Sequence, residues 1–152
     1  MTVRIQEADF DLSQEIANLR QARPQIGAIA AFIGLVRDVN GGEAVSELTL
    51  EHYPAMTQKA LEAIVAEAKQ RWQIDDALVI HRVGRLLPTD QIVLVAVASS
   101  HRGAAFQACE FIMDFLKTQA PFWKKEHTPA GARWVEARDS DALSVARWRE
   151  KK

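Results

Sequence analysis

The tetrad Ser99-Ser100-His101-Arg102 stands where an apolar β-type run ends and a helical pattern begins. The first turn of a helix offers free N–H groups and a partial positive charge. A histidine and an arginine placed there work against the helix on their own, and a bound anion removes the conflict. The plainer reading sends both side chains into solvent or pairs them with a carboxylate. A second group comprises Lys117, Lys124 and Lys125 around Ala120-Pro121-Phe122-Trp123. A cation at a helix end is ordinary dipole complementarity. A lysine desolvated against the Phe122 and Trp123 wall, near a second lysine, would instead have a lowered pKa and serve as a general base or nucleophile. Arg37 follows one apolar run and Arg138 another. Each reads singly as a strand-end arginine, but with His101 and Arg102 they could line a phosphate-sized cationic pocket.

Other candidates read as structural. Cys109 lies on the apolar stripe of its helix and reads as a small packed hydrophobe. As the sole cysteine, it excludes an internal disulfide and a multi-cysteine metal site, and it fits a reducing cytoplasm. His52, His81, His101 and His127 lack short metal-ligand spacing, so neither a metal nor any other cofactor is expected. There is no GxSxG, Walker A or GxGxxG motif to support autonomous ATP or NAD chemistry.

The elements that must position these residues follow from periodicity and caps. Thr2–Gln6 reads as a first strand, then Asp11 or Ser13 caps a helix to about Arg23 with Ile16 and Leu19 inward. Residues 27–36 are apolar enough for a strand buried on both faces, and 38–43 (DVNGGE) reads as a mobile loop. Residues 45–53 alternate, with Leu48, Leu50 and His52 on one face. Pro54 suits the start of a helix in which Met56, Ala60, Ile64, Ala68 and Trp72 recur every four residues. Residues 77–83 and 92–99 are strands joined by a connector, and Ser100 caps a helix to about Thr118 with Ala105, Cys109, Ile112 and Leu116 inward. Pro121 stops that helix. A short strand over 132–137 and a helix capped by Asp139 or Ser140, carrying Leu143, Ala146 and Trp148, close the chain. Paired strands with interspersed helices predict an α+β fold, a mixed or antiparallel sheet with helices on one face.

The chain of 152 residues, 48% hydrophobic and 26% charged, suits one globular domain over residues 1–152 and not a disordered polymer. No apolar run approaches the ~20 residues that span a bilayer, and the N-terminus lacks a signal core. Residues 1–80 hold 7 Lys+Arg against 12 Asp+Glu, and residues 81–152 hold 12 against 8. The basic surplus of the second half is too small to wrap nucleic acid and suits one small anionic ligand.

Several stretches occur together in order: Phe32-Ile-Gly-Leu-Val-Arg37, Leu50-Glu-His-Tyr-Pro-Ala-Met56, His81-Arg-Val-Gly84, Ser100-His-Arg102, Ala105-Phe106 and Asp114-Phe-Leu-Lys-Thr-Gln-Ala-Pro-Phe-Trp-Lys-Lys-Glu126. This set resembles the large, catalytic subunits of molybdopterin synthase, from about Gly27 to Arg138. The resemblance implies a hammerhead-type α+β fold with a small added subdomain. It implies a cytoplasmic sulfurtransferase of molybdenum cofactor biosynthesis that makes the dithiolene of molybdopterin from cyclic pyranopterin monophosphate. The sulfur comes from the C-terminal thiocarboxylate of a small ubiquitin-like subunit, and two large subunits form a homodimer at the centre of a heterotetramer. By motif match Lys117 and Lys124 are catalytic, while Arg37, His101, Arg102 and Arg138 bind substrate; Lys125 matches a position that accepts either basic residue. An enzyme whose sulfur arrives on its partner needs no cysteine of its own. The alternative from another class is a non-catalytic module binding a ubiquitin-like tail or a phosphorylated ligand.

Helix geometry constrains this reading. From residue 102 to residue 117 a straight helix rises roughly 22 Å. Arg102 and Lys117 of one chain therefore cannot touch one small substrate if the helix is straight and complete: either the helix ends early and the chain folds back, or the pocket draws on two subunits. The second is expected, because a central dimer lets one subunit's phosphate-binding groups meet the other's lysines. Arg102→Ala is expected to weaken binding of the phosphorylated substrate with the fold intact, as read by calorimetric titration alongside circular dichroism.

Overall fold

The computed structural model describes residues 1–135 and 139–149. Its elements are β1 (Thr2–Gln6), α1 (Leu12–Arg20), β2 (Ala28–Leu35), β3 (Val39–Asn40), β4 (Glu43–Ala44), β5 (Glu47–His52), α2 (Pro54–Arg71), β6 (Asp76–Arg82), β7 (Gly84–Leu86), β8 (Gln91–Ser99), α3 (Arg102–Gln119), β9 (Phe122–Thr128), β10 (Gly131–Val135) and α4 (Asp139–Arg149). Two four-stranded sheets organise them. The first runs β1-β6-β8-β2, with β1 parallel to β6 and the other pairs antiparallel. The second runs β10-β9-β5-β7 and is antiparallel throughout. The expected α+β class is what forms.

The first sheet is covered on both faces, not one. Val79, Val93, Val95 and Val97 meet the buried sides of α2, α3 and α4, whereas Leu78, Ile80, Leu94 and Ala96 meet Phe10 and Leu19 on the α1 side. A strand clad on both faces reads as an unbroken apolar run, and β8 is that strand. Residues 27–36 carry an equally apolar run, yet β2 is the sheet edge and leaves Phe32 and Leu35 41% and 52% exposed. Composition alone does not separate a central strand from an edge that awaits a partner.

Helix α1 is capped by Asp11, whose side chain accepts from Gln14 N, and stops at Arg20, short of Arg23. In α2 the buried residues are Thr57, Leu61, Ile64, Val65 and Ala68, while Met56 is 61% exposed. A strict four-residue spacing drifts about 40° per step around a 3.6-residue helix, so the stripe leaves the core at its Met56 end. Helix α3 starts one residue later than expected, with His101 at the cap position and no side-chain cap bond; Ala105, Cys109, Ile112 and Leu116 are buried as expected. In α4 the buried residues are Val145 and Trp148, with Leu143 73% exposed.

Four strands were not legible. The loop over 38–43 is the β3–β4 hairpin, where Gly41 and Gly42 take φ of 60° and 81°, as a two-residue I′ turn demands. The connector after β6 forms β7, and the segment after Pro121 is β9, the strand that joins β10 to β5.

A Cβ on Gly27 would lie 2.2 Å from the Ser100 carbonyl oxygen, where β2 begins beside the end of β8. Gly27→Ala is expected to cost roughly 1–3 kcal/mol by forcing backbone apart. Gly103→Ala meets nothing within 4 Å and is expected to lie within about 1 kcal/mol of wild type. Urea unfolding checks both.

Candidate active site

One cleft of about 320 Å³ opens between the two sheets and the end of α3. Three cationic side chains line it: Arg37 from the chain after β2, Lys117 from the last turn of α3, and Lys124 from β9. Arg37 is aimed by its neighbour. Val36 is buried, takes a hydrogen bond from Thr89 N at 2.8 Å and gives one to the Asp90 carbonyl at 2.9 Å. Lys117 is carried by a helix whose Phe111, Ile112, Phe115 and Leu116 are buried. Pro121 ends that helix, with Ala120 extended at ψ 130°, and turns the chain into β9.

Strand alternation then sorts the residues after Pro121. Phe122, Lys124 and Glu126 share the cleft face of β9. Trp123 and Lys125 point the other way: Trp123 meets Tyr53 edge to face with centroids 4.6 Å apart, and Lys125 lies over the Trp134 ring at 5.7 Å. Of the expected aromatic wall, only Phe122 faces the lysines, and Lys125 is outside the cleft.

Three polar residues of the cleft were missed in the sequence: Glu126, Asn40 and Asp141. Glu126 is buried, and Asn40 Nδ2 donates to both of its oxygens at 3.0 Å. Arg133 donates to the Asn40 carbonyl at 3.2 Å and to Glu126 at 3.4 Å, fastening the β3–β4 hairpin along one side of the cleft. The alternation Phe122-Lys124-Glu126 would have revealed Glu126 had this segment been read as a strand. Asn40 had no such signal, since its partner lies 86 positions away.

Behind Phe122 stands His81, 4% exposed, its ring stacked on the Phe122 ring with centroids 3.8 Å apart and planes 16° apart. The Nδ1–H donates to the Arg82 carbonyl at 2.8 Å, since a carbonyl can only accept. Burial, chiefly, and then the charges of Lys124, His52 and Lys117 push its pKa down to about 4, against the donated bond to Arg82. The imidazole is neutral near pH 7. Cys109 is buried, with its thiol pushed up to about 11 by burial and by Glu110, so it remains a protonated packing group as expected.

His101 and Arg102 are exposed and sit at the opposite end of α3 from Lys117. A single chain thus brings together Arg37, Lys117 and Lys124 and leaves His101 and Arg102 outside the cleft. Arg138 lies outside the described residues. Among the described residues no group of three or more His, Cys, Asp or Glu side chains could hold a metal ion, and no helix is long and apolar enough to cross a membrane.

The fold is thus of the α+β class, with lysines from a helix end and from a strand facing one cleft. Residues 5–119 match the family described as MoaE protein. The molybdopterin synthase catalytic subunit of Ralstonia nicotianae is 69% identical over 147 residues, covering 97% of this chain and 84% of that protein. The solved structure of the molybdopterin biosynthesis MoaE protein from Burkholderia ambifaria is 59% identical, covers 97% of each chain and superposes with a TM-score of 0.84. A more distant chain, 20% identical with a TM-score of 0.73 over 90% of this chain and 91% of its own, shares the fold; it comes from a complex of subunits 1 and 2 of the molybdopterin-converting factor of Helicobacter pylori. The chain belongs to the MoaE family, the catalytic subunits of molybdopterin synthase in molybdenum cofactor biosynthesis.

His81 links stability to pH. Its folded pKa lies below the ordinary value near 6.5, so the unfolded chain binds more protons between the two. The contribution is fully present above about pH 6.5 and is lost as pH falls toward 4, to a total on the order of 3 kcal/mol. His81→Phe is expected to flatten this part of the profile, read by urea unfolding at pH 7 and pH 5.

Proposed function

We propose that the cleft transfers sulfur from the C-terminal thiocarboxylate of a small ubiquitin-like subunit to cyclic pyranopterin monophosphate, forming the molybdopterin dithiolene. The observation that carries this reading is the convergence of Arg37, Lys117 and Lys124 on one cleft of about 320 Å³. An anionic substrate and an anionic tail both require such a site, and Cys109 supplies no nucleophile. Lys117 acts in acid/base or covalent work at the reacting carbon. Lys124 stabilises developing oxyanion charge or holds the tail, and Arg37 contributes to phosphate binding. No resident cofactor or metal enters the scheme, and neither nucleic acid nor a membrane has a part in it. The complex recorded for the Helicobacter pylori chain supports a small-subunit partner. The packing of Phe122 and Ile92 against the cores of both sheets supports one catalytic domain over the whole chain. The chemistry suits a cytoplasmic enzyme.

His101 and Arg102 enter through a homodimer at the centre of a heterotetramer. Residues 45–53 and 77–83 hold no lysine or proline to guard a sheet edge, yet they offer no edge to a dimer, because β5 lies between β9 and β7, and β6 between β1 and β8. The first sheet ends in β1 on one side and β2 on the other, and β2 is the edge strand that exposes large apolar side chains, Phe32 and Leu35. A two-fold pairing of β2 with its copy is antiparallel and sets the start of one strand opposite the end of the other. The start of β2 adjoins Ser99 and hence the His101–Arg102 turn, and its end leads into Arg37. Such a dimer would carry His101 and Arg102 of one copy toward the cleft of the other. Arg138 is kept as a substrate-binding residue on its motif match alone.

Lys117→Ala is expected to lower turnover by roughly 10²–10⁴-fold with saturating thiocarboxylated partner, while the exposed Lys69→Ala leaves it unchanged. Lys117→Ala and Arg102→Ala chains, unfolded and refolded together and assayed at substrate too dilute for the Arg102→Ala chain alone, should recover about one quarter of wild-type activity, because half the dimers then hold one intact shared pocket. Wild-type turnover by Lys117→Ala would remove the catalytic assignment, and no recovery on mixing would remove the shared pocket. Tail or substrate binding by the wild-type protein without any dithiolene product would favour the non-catalytic module.

A further inference from the structure

Lys117 and Lys124 reach the cleft from different parts of the fold. Lys117 ends α3, which packs on the first sheet, and Lys124 projects from β9 of the second. Their mutual position depends on what joins the two sheets. The chain crosses from one to the other between β6 and β7 through the single residue Val83, and Gly84 takes φ +86° as β7 begins. His81 stands just before this corner and pins it with the Nδ1–H bond to the Arg82 carbonyl. Its ring lies flat on Phe122, the first residue of β9 and the cleft-face neighbour of Lys124. One buried side chain thus holds the corner of the first sheet and bears on the start of the strand that presents Lys124. The Arg82 side chain ties the same corner to the first sheet, donating to the Gln91 carbonyl at 2.9 Å and to the Glu7 carbonyl at 3.1 Å, and Thr57 Oγ1 donates to the Pro121 carbonyl at 3.1 Å; neither residue bears on the Phe122 ring as His81 does.

We infer that His81 is a positioning residue for the reaction, a flat clamp between the two sheets that fixes Lys124 relative to Lys117 by stacking on Phe122. This inference rests on the assignment of the two lysines made above. The ring must be planar to lie against Phe122 over its whole face. Its catalytic effect comes through Lys124, since His81 itself is walled off from the cleft by Phe122.

The test is steady-state kinetics with a thiocarboxylated small subunit and the cyclic pterin precursor, on wild type, His81→Leu, His81→Phe, Phe122→Leu and the His81→Leu/Phe122→Leu double variant. Leucine fills the space without a flat face, and phenylalanine keeps the face without the N–H. His81→Leu is expected to lower kcat by at least about tenfold with little change in KM, and His81→Phe to return it to within about threefold of wild type. The double variant should be no slower than the slower single one, because both remove the same stack. Wild-type kcat in His81→Leu, a His81→Phe as slow as His81→Leu, or additive losses in the double variant would overturn the clamp. Should His81→Leu fail to fold, Phe122→Leu breaks the stack from its other side, and wild-type kcat there would overturn it equally. If wild type itself turns nothing over, the sulfur-transfer reading fails. The clamp is then decided by trace acetylation with peptide mass spectrometry: loss of the stack should change the labelling rate of Lys124 at least about threefold against Lys69, and an unchanged ratio overturns it.

Discussion

Like charges gathered around a small cleft repel one another, and the rest of the structure works against that repulsion. Arg37, Lys117 and Lys124 cannot be brought together by mutual attraction, so each is imposed on the cleft by the burial of its neighbours. Val36 is buried and tied by two backbone hydrogen bonds beside Arg37. Four large apolar side chains sink the last turns of α3 and leave Lys117 at the rim. Pairing of β9 with both β5 and β10 fixes Lys124. Hydrophobic burial of their neighbours thus places the three cations in a cleft that Glu126 and Asp141 also line.

The balance of charge in the cleft is local. Glu126 lies on the same strand face as Lys124, yet its oxygens are occupied by Asn40 and Arg133 and fasten the β3–β4 hairpin. A carboxylate engaged in this way serves as a structural anchor beside the cations. His81 shows the complementary solution. A second type of basic group sits immediately behind the cleft, and burial together with the nearby lysines keeps it uncharged. It adds a flat packing surface without adding to the repulsion.

The dimensions of α3 explain why one chain holds only part of the expected set of cations. The helix has 18 residues, with His101 and Arg102 at its start and Lys117 in its last turn. The apolar edge of β2 runs between the same two regions, beginning beside the His101–Arg102 turn and ending at Arg37. The proposed two-fold closure along that edge would reconcile the length of the helix with the small size of the proposed substrate.

The sequence by itself determined the class of fold, most of the helices, the burial of Cys109 and the residues that carry the family resemblance. These follow from signals within a few positions: a capping Asp11, Pro54 at a helix start, Pro121 at a helix end, and alternation in β5. Lys117, Lys124 and Arg37 were legible as candidates because cations beside apolar runs are conspicuous in sequence. Their meeting in one cleft was decided by tertiary structure, which joins residues 37, 117 and 124 through two sheets. The hairpin at 39–44, the strand at 122–128 and the partnership of Asn40 with Glu126 were settled at the same level. So was the edge position of β2, whose composition matches that of the central β8. The physical reason is the same in each case. Caps and periodicity act between near neighbours, whereas strand order, strand face and side-chain pairing depend on which distant segments share a surface, and no local pattern of residues encodes that choice.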